Sequence, residues 1–170
     1  FYGAYNKYRD LMNFESRIIK DLIQKKITVA TAESCTGGLL AIAFTSYSGV
    51  SAIYQSGMIT YSNDAKKQFL KVKPETLRQH GAVSRQVCAQ MCFHLAKISK
   101  CQLTLSTTGV AGPGGGTKTK PVGLVYAGVC YQKTIYVKKL QFPSRLSRLQ
   151  IQKGTVKECF QMIKEVLDGL

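Results

Sequence analysis

A short polar stretch, residues 32–38 (AESCTGG), holds the side chains best suited to chemistry. It follows a β-branched run and precedes an apolar run, which is the pattern of a strand, a tight turn and a helix. Ser34 in that turn can cap the helix, bind an anion, or act as a nucleophile whose oxyanion is met by the amides of Thr36, Gly37 and Gly38. On this stretch alone, the helix cap is the favoured interpretation.

A serine hydroxyl needs a neighbouring base before it can attack a carbonyl. Tyr61 and Lys66 follow the second predicted strand, and Thr108 ends the third. Ligands of an open α/β sheet bind beyond the carboxyl ends of its strands, so these side chains are expected to gather near Ser34. Taken singly, Lys66 is typical of a solvated helix and Tyr61 of strand-end packing. In combination they indicate acyl transfer without a metal.

A lysine serves as a base only if its pKa falls by several units from its usual value of about 10.4. Burial lowers a lysine pKa, and so does a positive neighbour. We expect both effects at Lys66, with Lys67 as the neighbour. Glu33 is a weaker candidate for orienting the lysine.

A glycine-rich segment, residues 109–116, follows Thr108 and offers backbone amides to a phosphate or an oxyanion. Its spacing fits neither the dinucleotide-binding nor the P-loop pattern, so a plain surface turn is the alternative interpretation. Arg145 and Arg148, near the start of the last predicted helix, can each pair with a phosphate. The alternative for these arginines is ordinary solvation.

The composition bounds the class of protein. The chain has 170 residues, 45% of them hydrophobic, and a net charge of +15, which indicates one globular domain with anionic partners. It lacks an apolar run of membrane-spanning length and a signal-peptide pattern, so we expect a cytoplasmic protein. The six cysteines lie far apart or at helical spacing, which favours buried thiols over a metal site.

The predicted elements alternate between helix and strand and end in a hairpin. Asn13 is expected to cap a first helix, Asn63 or Asp64 a third and Ser84 a fifth, and Pro74 to open a fourth. Strands are predicted near 27–31, 56–61, 103–108, 122–130 and 134–142, and a last helix over about 145–167. This order predicts an α/β fold with a mixed sheet and helices on both faces. Residues 1–11 are assigned to an extension or expression remnant, and 12–170 to the domain.

Five motifs in register carry a resemblance to a known family: 31–38 (TAESCTGG), 57–66 (GMITYSNDAK), 80–84 (HGAVS), 108–113 (TGVAGP) and 120–123 (KPVG). Together they resemble the CinA C-terminal domain family, in order and spacing, from about residue 14 to the C-terminus. The resemblance implies a three-layer α/β/α sandwich, usually a homo-oligomer, that hydrolyses nicotinamide mononucleotide to nicotinate mononucleotide and ammonia.

The resemblance also implies roles for particular residues. Ser34 is the expected nucleophile, Lys66 the general base, and Tyr61 a proton-transfer or orienting group. Thr108 is expected on the substrate or oxyanion side. The remaining expected substrate contacts are Thr36, Gly37, Gly38, Gly109, Gly112, Arg148 and Arg145. The expected partner is a small phosphorylated nucleotide, and neither metal, cofactor nor membrane is implied.

The chain departs from the family pattern around the phosphate side. Gly114 replaces a usual acidic residue, and Gln152 stands where a second arginine is common. The segment before the last helix is also altered; Arg148 is the better counterpart of the family arginine, and Arg145 is the second choice. Two other functions therefore stay open: a catalytically silent nucleotide-binding or regulatory module, and, less favoured, a nucleic-acid-binding protein.

Overall fold

A computed structural model of the protein describes residues 14–169. The expected extension 1–11 and the expected cap Asn13 lie outside these residues. In chain order, the elements are α1 (14–24), β1 (Val29–Glu33), α2 (Leu39–Thr45), a 3₁₀ turn (Val50–Ala52), β2 (Tyr54–Ile59), α3 (Asn63–Leu70), α4 (Pro74–His80), α5 (Arg85–Ser99), β3 (Leu103–Gly109), β4 (Leu124–Tyr131), β5 (Thr134–Gln141) and α6 (Arg148–Leu167).

The sheet is mixed, as predicted, with the strand order β2-β1-β3-β4-β5. Strand β1 pairs in parallel with both β2 and β3, and the β3–β4 and β4–β5 pairs are antiparallel. The predicted hairpin is confirmed: Gln132 and Lys133 join β4 to β5 with φ values of 49° and 69°. Positive φ at both turn residues matches the twist of a two-residue hairpin.

Helices cover both faces of the sheet, which confirms the three-layer α/β/α arrangement. On one face, α1, α2 and α6 contribute Leu22, Phe44 and Phe160 to a large apolar cluster. On the other face, α3, α4 and α5 form a smaller cluster that includes Leu70 and Met91. Strands β1 and β3 are buried along nearly their whole length, as expected for central strands between two helical layers.

Several element boundaries differ from the sequence prediction. Strand β1 runs from Val29 to Glu33 rather than over 27–31, and β4 begins at Leu124 rather than at 122. Strand β2 ends at Ile59, so Tyr61 lies in the connection beyond it. Ser62, rather than Asn63 or Asp64, caps α3 by accepting a hydrogen bond from the Ala65 amide. Helix α6 starts at Arg148, because Ser147 and Gln150 form a reciprocal capping box there. Arg145 therefore lies in the loop before the helix.

We expected buried thiols, no metal site and no membrane span, and the structure bears on these points for residues 14–169. All six cysteines are unpaired and buried. Residues 14–169 hold no group of side chains suited to a metal ion. Within the same range, no helix is both long and apolar enough to cross a membrane.

Candidate functional site

The turn after β1 is held from inside by a buried carboxylate. Glu33 is 1% exposed, and its two oxygens accept hydrogen bonds from the amides of Gly38, Leu40 and Ala41 at 2.8–3.0 Å. These are the amides at the start of α2, which have no partner within the helix and favour a negative charge. Glu33 therefore anchors α2 to the end of β1. It does not contact Lys66, so the expectation that it orients this lysine is not met.

Ser34 and Lys66 lie side by side in the interior. Lys66 is 1% exposed. Its Nζ contacts three oxygens: Ser34 Oγ at 3.0 Å, the Thr60 carbonyl at 2.8 Å and the Tyr61 carbonyl at 3.1 Å. The two carbonyls can only accept hydrogen bonds. In the neutral amine, both N–H groups donate to these carbonyls, so the nitrogen lone pair is left facing the Ser34 hydroxyl.

Burial lowers the pKa of Lys66 from 10.5 to about 8. The cause is desolvation, which disfavours the charged ammonium. The prediction that Lys67 helps to lower the pKa of Lys66 is wrong. Lys67 forms an ion pair with Asp64 at 2.7 Å on the surface, so a carboxylate compensates its charge.

A cavity of about 280 Å³ opens beside the Ser34–Lys66 pair. Its lining residues include Arg148 and Lys66 and no carboxylate, so the cavity is electropositive. They are Ser34, Cys35, Tyr61, Lys66, Ala82, Val83, Thr108, Gly109, Val110, Ala111, Gly112, Gly114, Gly115 and Arg148. The volume is near the lower end of the about 300–1,000 Å³ usual for small-molecule pockets.

Arg148 closes one side of this cavity. Its guanidinium donates to the Gly112 carbonyl and to the Tyr61 hydroxyl, both at 2.7 Å. These bonds connect α6, the glycine-rich segment and the connection after β2. A guanidinium has five N–H donors, so Arg148 keeps donors for an anion in the cavity.

Thr108 is buried at the end of β3, where its hydroxyl donates to the Ala82 carbonyl at 2.8 Å. Because that proton is committed, the Thr108 oxygen faces other groups as an acceptor. Gly109 and Gly112 have no room for a side chain: a Cβ would lie 2.6 Å from Val125 Cγ2 or Val122 Cγ1, respectively. Both glycines therefore let the segment pack closely against β4 and its approach.

The structure thus brings together Ser34, Lys66, Tyr61, Thr108, Gly109, Gly112 and Arg148, and it leaves four expected contacts outside the cavity. The Thr36 hydroxyl is fully buried and bonded to Glu33 and Thr107. The Gly37 amide donates to the Ser34 carbonyl, and the Gly38 amide to Glu33. The two glycine amides are therefore committed and cannot serve an oxyanion, contrary to the expectation. Arg145 is exposed outside the cavity.

Sequence reasoning missed one contact to the nucleophile turn. Gln152 Nε2 donates to the Cys35 carbonyl at 2.8 Å. Its position four residues after Arg148 was an available signal, because side chains at that spacing share one helix face. The capping role of Glu33 was also missed, although an acidic residue close to a helix N-terminus is typical of it.

The fold and the site define a class: an α/β/α protein whose parallel strands end at a buried serine–lysine pair. The family model "CinA C-terminal domain" matches residues 11–167. The chain belongs to that family.

Similar proteins carry one recurring name. The chain is 45% identical over 156 residues to a protein from Clostridium novyi that is named competence-damage inducible protein. The aligned region covers 92% of the chain and 37% of the relative. A relative of the same name from Clostridium acetobutylicum is 53% identical over 122 residues, covering 72% of the chain and 30% of the relative. The chain therefore spans about a third of the length of these relatives.

Solved structures share the fold along most of their length. The competence/damage inducible protein CihA of Agrobacterium tumefaciens superposes with a TM-score of 0.89 and 39% identity, covering 92% of this chain and 95% of that one. A CinA superfamily protein of Klebsiella pneumoniae superposes with a TM-score of 0.89 and 28% identity, covering 94% and 99%. The sheet and its helical layers are thus those of the family.

Proposed function

We propose that this domain hydrolyses the carboxamide of nicotinamide mononucleotide to nicotinate mononucleotide and ammonia. The observation that carries the proposal is the 3.0 Å contact between Lys66 Nζ and Ser34 Oγ at the wall of an electropositive cavity. A purely structural lysine has no need of a lowered pKa, and burying an amine that is paired only with neutral oxygens is costly. A serine next to an amine that is partly neutral near pH 8 is an activated nucleophile.

The reaction proceeds in two halves. Neutral Lys66 takes the Ser34 proton while Oγ bonds to the carboxamide carbon, giving a tetrahedral oxyanion. The carbon–nitrogen bond then breaks, the amide nitrogen receives the proton from Lys66, and ammonia leaves. Water attacks the resulting ester, again with Lys66 as the base, and releases the carboxylic acid with Ser34 restored.

Two polar groups support a mononucleotide carboxamide as the substrate. Arg148 offers a guanidinium that no carboxylate among the described residues neutralises, which favours a phosphate. Thr108 offers an acceptor to the carboxamide NH₂ group. It therefore belongs on the substrate side rather than the oxyanion side. Tyr61 accepts from Arg148 and keeps its own proton to orient the ligand.

The test is ammonia release from nicotinamide mononucleotide by the wild type, Ser34→Ala and Lys66→Met. We expect turnover in the wild type alone. A wild type that binds the nucleotide, as measured by calorimetry, without releasing ammonia would instead support a silent binding module. Full activity of Ser34→Ala would overturn the mechanism.

Lys67→Gln is the matched control for Lys66→Met, since Lys67 is the next residue of α3 and pairs with Asp64 at the surface. It should keep wild-type turnover. The homo-oligomer and the cytoplasmic location stay predictions, and a salt-dependent affinity for DNA would be the sign of the nucleic-acid alternative.

A further inference from the structure

We propose that Gln152 is a positioning residue: it holds the Cys35 carbonyl so that the turn after the nucleophile presents the Cys35 amide to the oxyanion. This inference rests on the proposed function, because it assigns a part to the same acyl-transfer site. It also names a donor for the oxyanion once the Gly37 and Gly38 amides are excluded.

The first step is a count of the donors in the turn. The Ser34 amide donates to Thr107, the Gly37 amide to Ser34 and the Leu39 amide to Thr36. The Gly38 amide donates to Glu33. Within residues 14–169, the amides of Cys35 and Thr36 have no oxygen acceptor, and the Cys35 amide contacts its own Sγ. Thr36 is fully buried outside the cavity, whereas Cys35 directly follows Ser34 and lines the cavity.

The second step is the orientation of the Cys35 amide. A peptide unit is planar and trans, so its N–H points opposite to its carbonyl. Gln152 draws the Cys35 carbonyl toward α6 at 2.8 Å, which fixes the backbone of Cys35 on its C-terminal side. The Ser34 carbonyl accepts from Gly37, which directs the Cys35 N–H away from the inside of the turn. The amide after a nucleophile is a known source of oxyanion stabilisation in serine hydrolases.

The third step distinguishes the role of Gln152 from that of Glu33. Glu33 holds the Thr36 hydroxyl and the amides of Gly38, Leu40 and Ala41, and none of these hydrogen bonds reaches Cys35. The Cys35 carbonyl has one hydrogen-bond donor in the described structure, and Gln152 supplies it. Loss of that donor frees the Cys35 side of this peptide, while Glu33 and Thr107 still anchor Thr36 and α2 keeps its place. Gln152 therefore acts on the oxyanion through the backbone, not by touching it.

The test uses 3-pyridylboronic acid, a ring with a boronic acid in place of a carboxamide. Boron accepts an oxygen–boron bond from Ser34 Oγ, the serine proton passes to Lys66, and a hydroxyl of the tetrahedral boronate takes the oxyanion position. We expect Gln152→Leu to weaken boronate binding about 10- to 100-fold, less than the loss of a direct oxyanion donor. Gln152→Lys restores a donor and should stay within about threefold of the wild type.

Kinetics with nicotinamide mononucleotide give a second readout. Gln152→Leu should lower kcat about 10- to 100-fold at nearly unchanged KM, because the lost interaction forms in the transition state. Its pH profile should keep the wild-type midpoint, since Lys66 is untouched. Lys157→Gln, exposed on the same helix, is the control and should match the wild type in both assays.

The outcomes separate the inference from the proposed function. If boronate binding depends on Gln152 but the protein does not hydrolyse the nucleotide, the proposed substrate is wrong and the inference is supported. Wild-type boronate affinity and kcat in Gln152→Leu would overturn the inference. So would a loss that Gln152→Lys fails to restore, a loss matched by a large drop in melting temperature, or the absence of any boronate adduct in the wild type.

Discussion

Raising the pH from 7 to 9 should increase kcat/KM for ammonia release about tenfold, because the neutral form of Lys66 is the base. With a pKa of about 8, roughly a tenth of the amine is neutral at pH 7 and roughly nine tenths at pH 9. An unshifted lysine, with a pKa of 10.5, would be neutral in only about 0.03% of molecules at pH 7. Burial thus raises the share of active base about 300-fold at pH 7.

The sign follows from which form of the amine works. Lowering the pH protonates Lys66 and removes the lone pair that faces Ser34, so the rate falls tenfold for each pH unit well below the pKa. Above about pH 9, the profile should become level. The assay is kcat/KM from initial rates of ammonia release between pH 7 and 10. This range avoids the second ionisation of the substrate phosphate, near pH 6.

Lys67→Gln is the control for this profile, because Lys67 is paired with Asp64 and makes no contribution to the shift of Lys66. Its midpoint should stay at about 8. A rate that is constant from pH 7 to 10 would refute the base assignment, and so would a rate that keeps rising to pH 10. The second outcome would mean that Lys66 titrates as an ordinary lysine.

Three further predictions concern other parts of the site. Glu33→Gln removes one charged acceptor from the start of α2 and should lower the free energy of unfolding by about 2 kcal/mol in urea titrations. Glu75→Gln, exposed in the first turn of α4 and paired with Arg78, should lower it by less than about 1 kcal/mol, and an equal stability of both variants would contradict the capping role. Thr108→Val should lower the hydrolysis of the carboxamide about tenfold but spare the methyl ester of nicotinate mononucleotide, which has no N–H for the Thr108 oxygen; equal losses on both substrates would argue against an acceptor role. Arg148→Met should raise KM for the mononucleotide at least about tenfold and leave KM for the riboside, which lacks the phosphate, nearly unchanged. Arg145→Met, altered outside the cavity, should resemble the wild type. A larger effect of Arg145→Met would identify Arg145 as the phosphate-binding residue.

Local chemistry made much of the fold predictable from the sequence. A β-branched run followed by a small polar turn and an apolar run located β1, the Ser34 turn and α2. Pro74 opens α4 and Ser84 caps α5 as expected, since both effects act within one helical turn. The boundaries that failed have local reasons too: at α3 and α6 a nearby serine outcompeted the expected cap or start.

The residues that belong to the site were largely predictable, because strand ends meet at one edge of the sheet. What each residue can do was decided by contacts that are distant in sequence. Arg148 reaches Tyr61 across 87 positions, and Gln152 reaches Cys35 across 117. Such contacts place Arg148, and not Arg145, at the cavity. A shorter contact uses the Gly38 amide as a donor to Glu33, so this amide is not available to a ligand.

The sequence by itself determined that a serine, a lysine and a glycine-rich segment follow three strands of an α/β sheet. The tertiary structure alone decided that Lys66 is buried against Ser34 with two carbonyl partners, and therefore that its pKa is lowered. Periodicity and capping act within a few residues of the chain. Desolvation and the direction of a lone pair depend on every group packed around the amine, and those groups come from all parts of the chain.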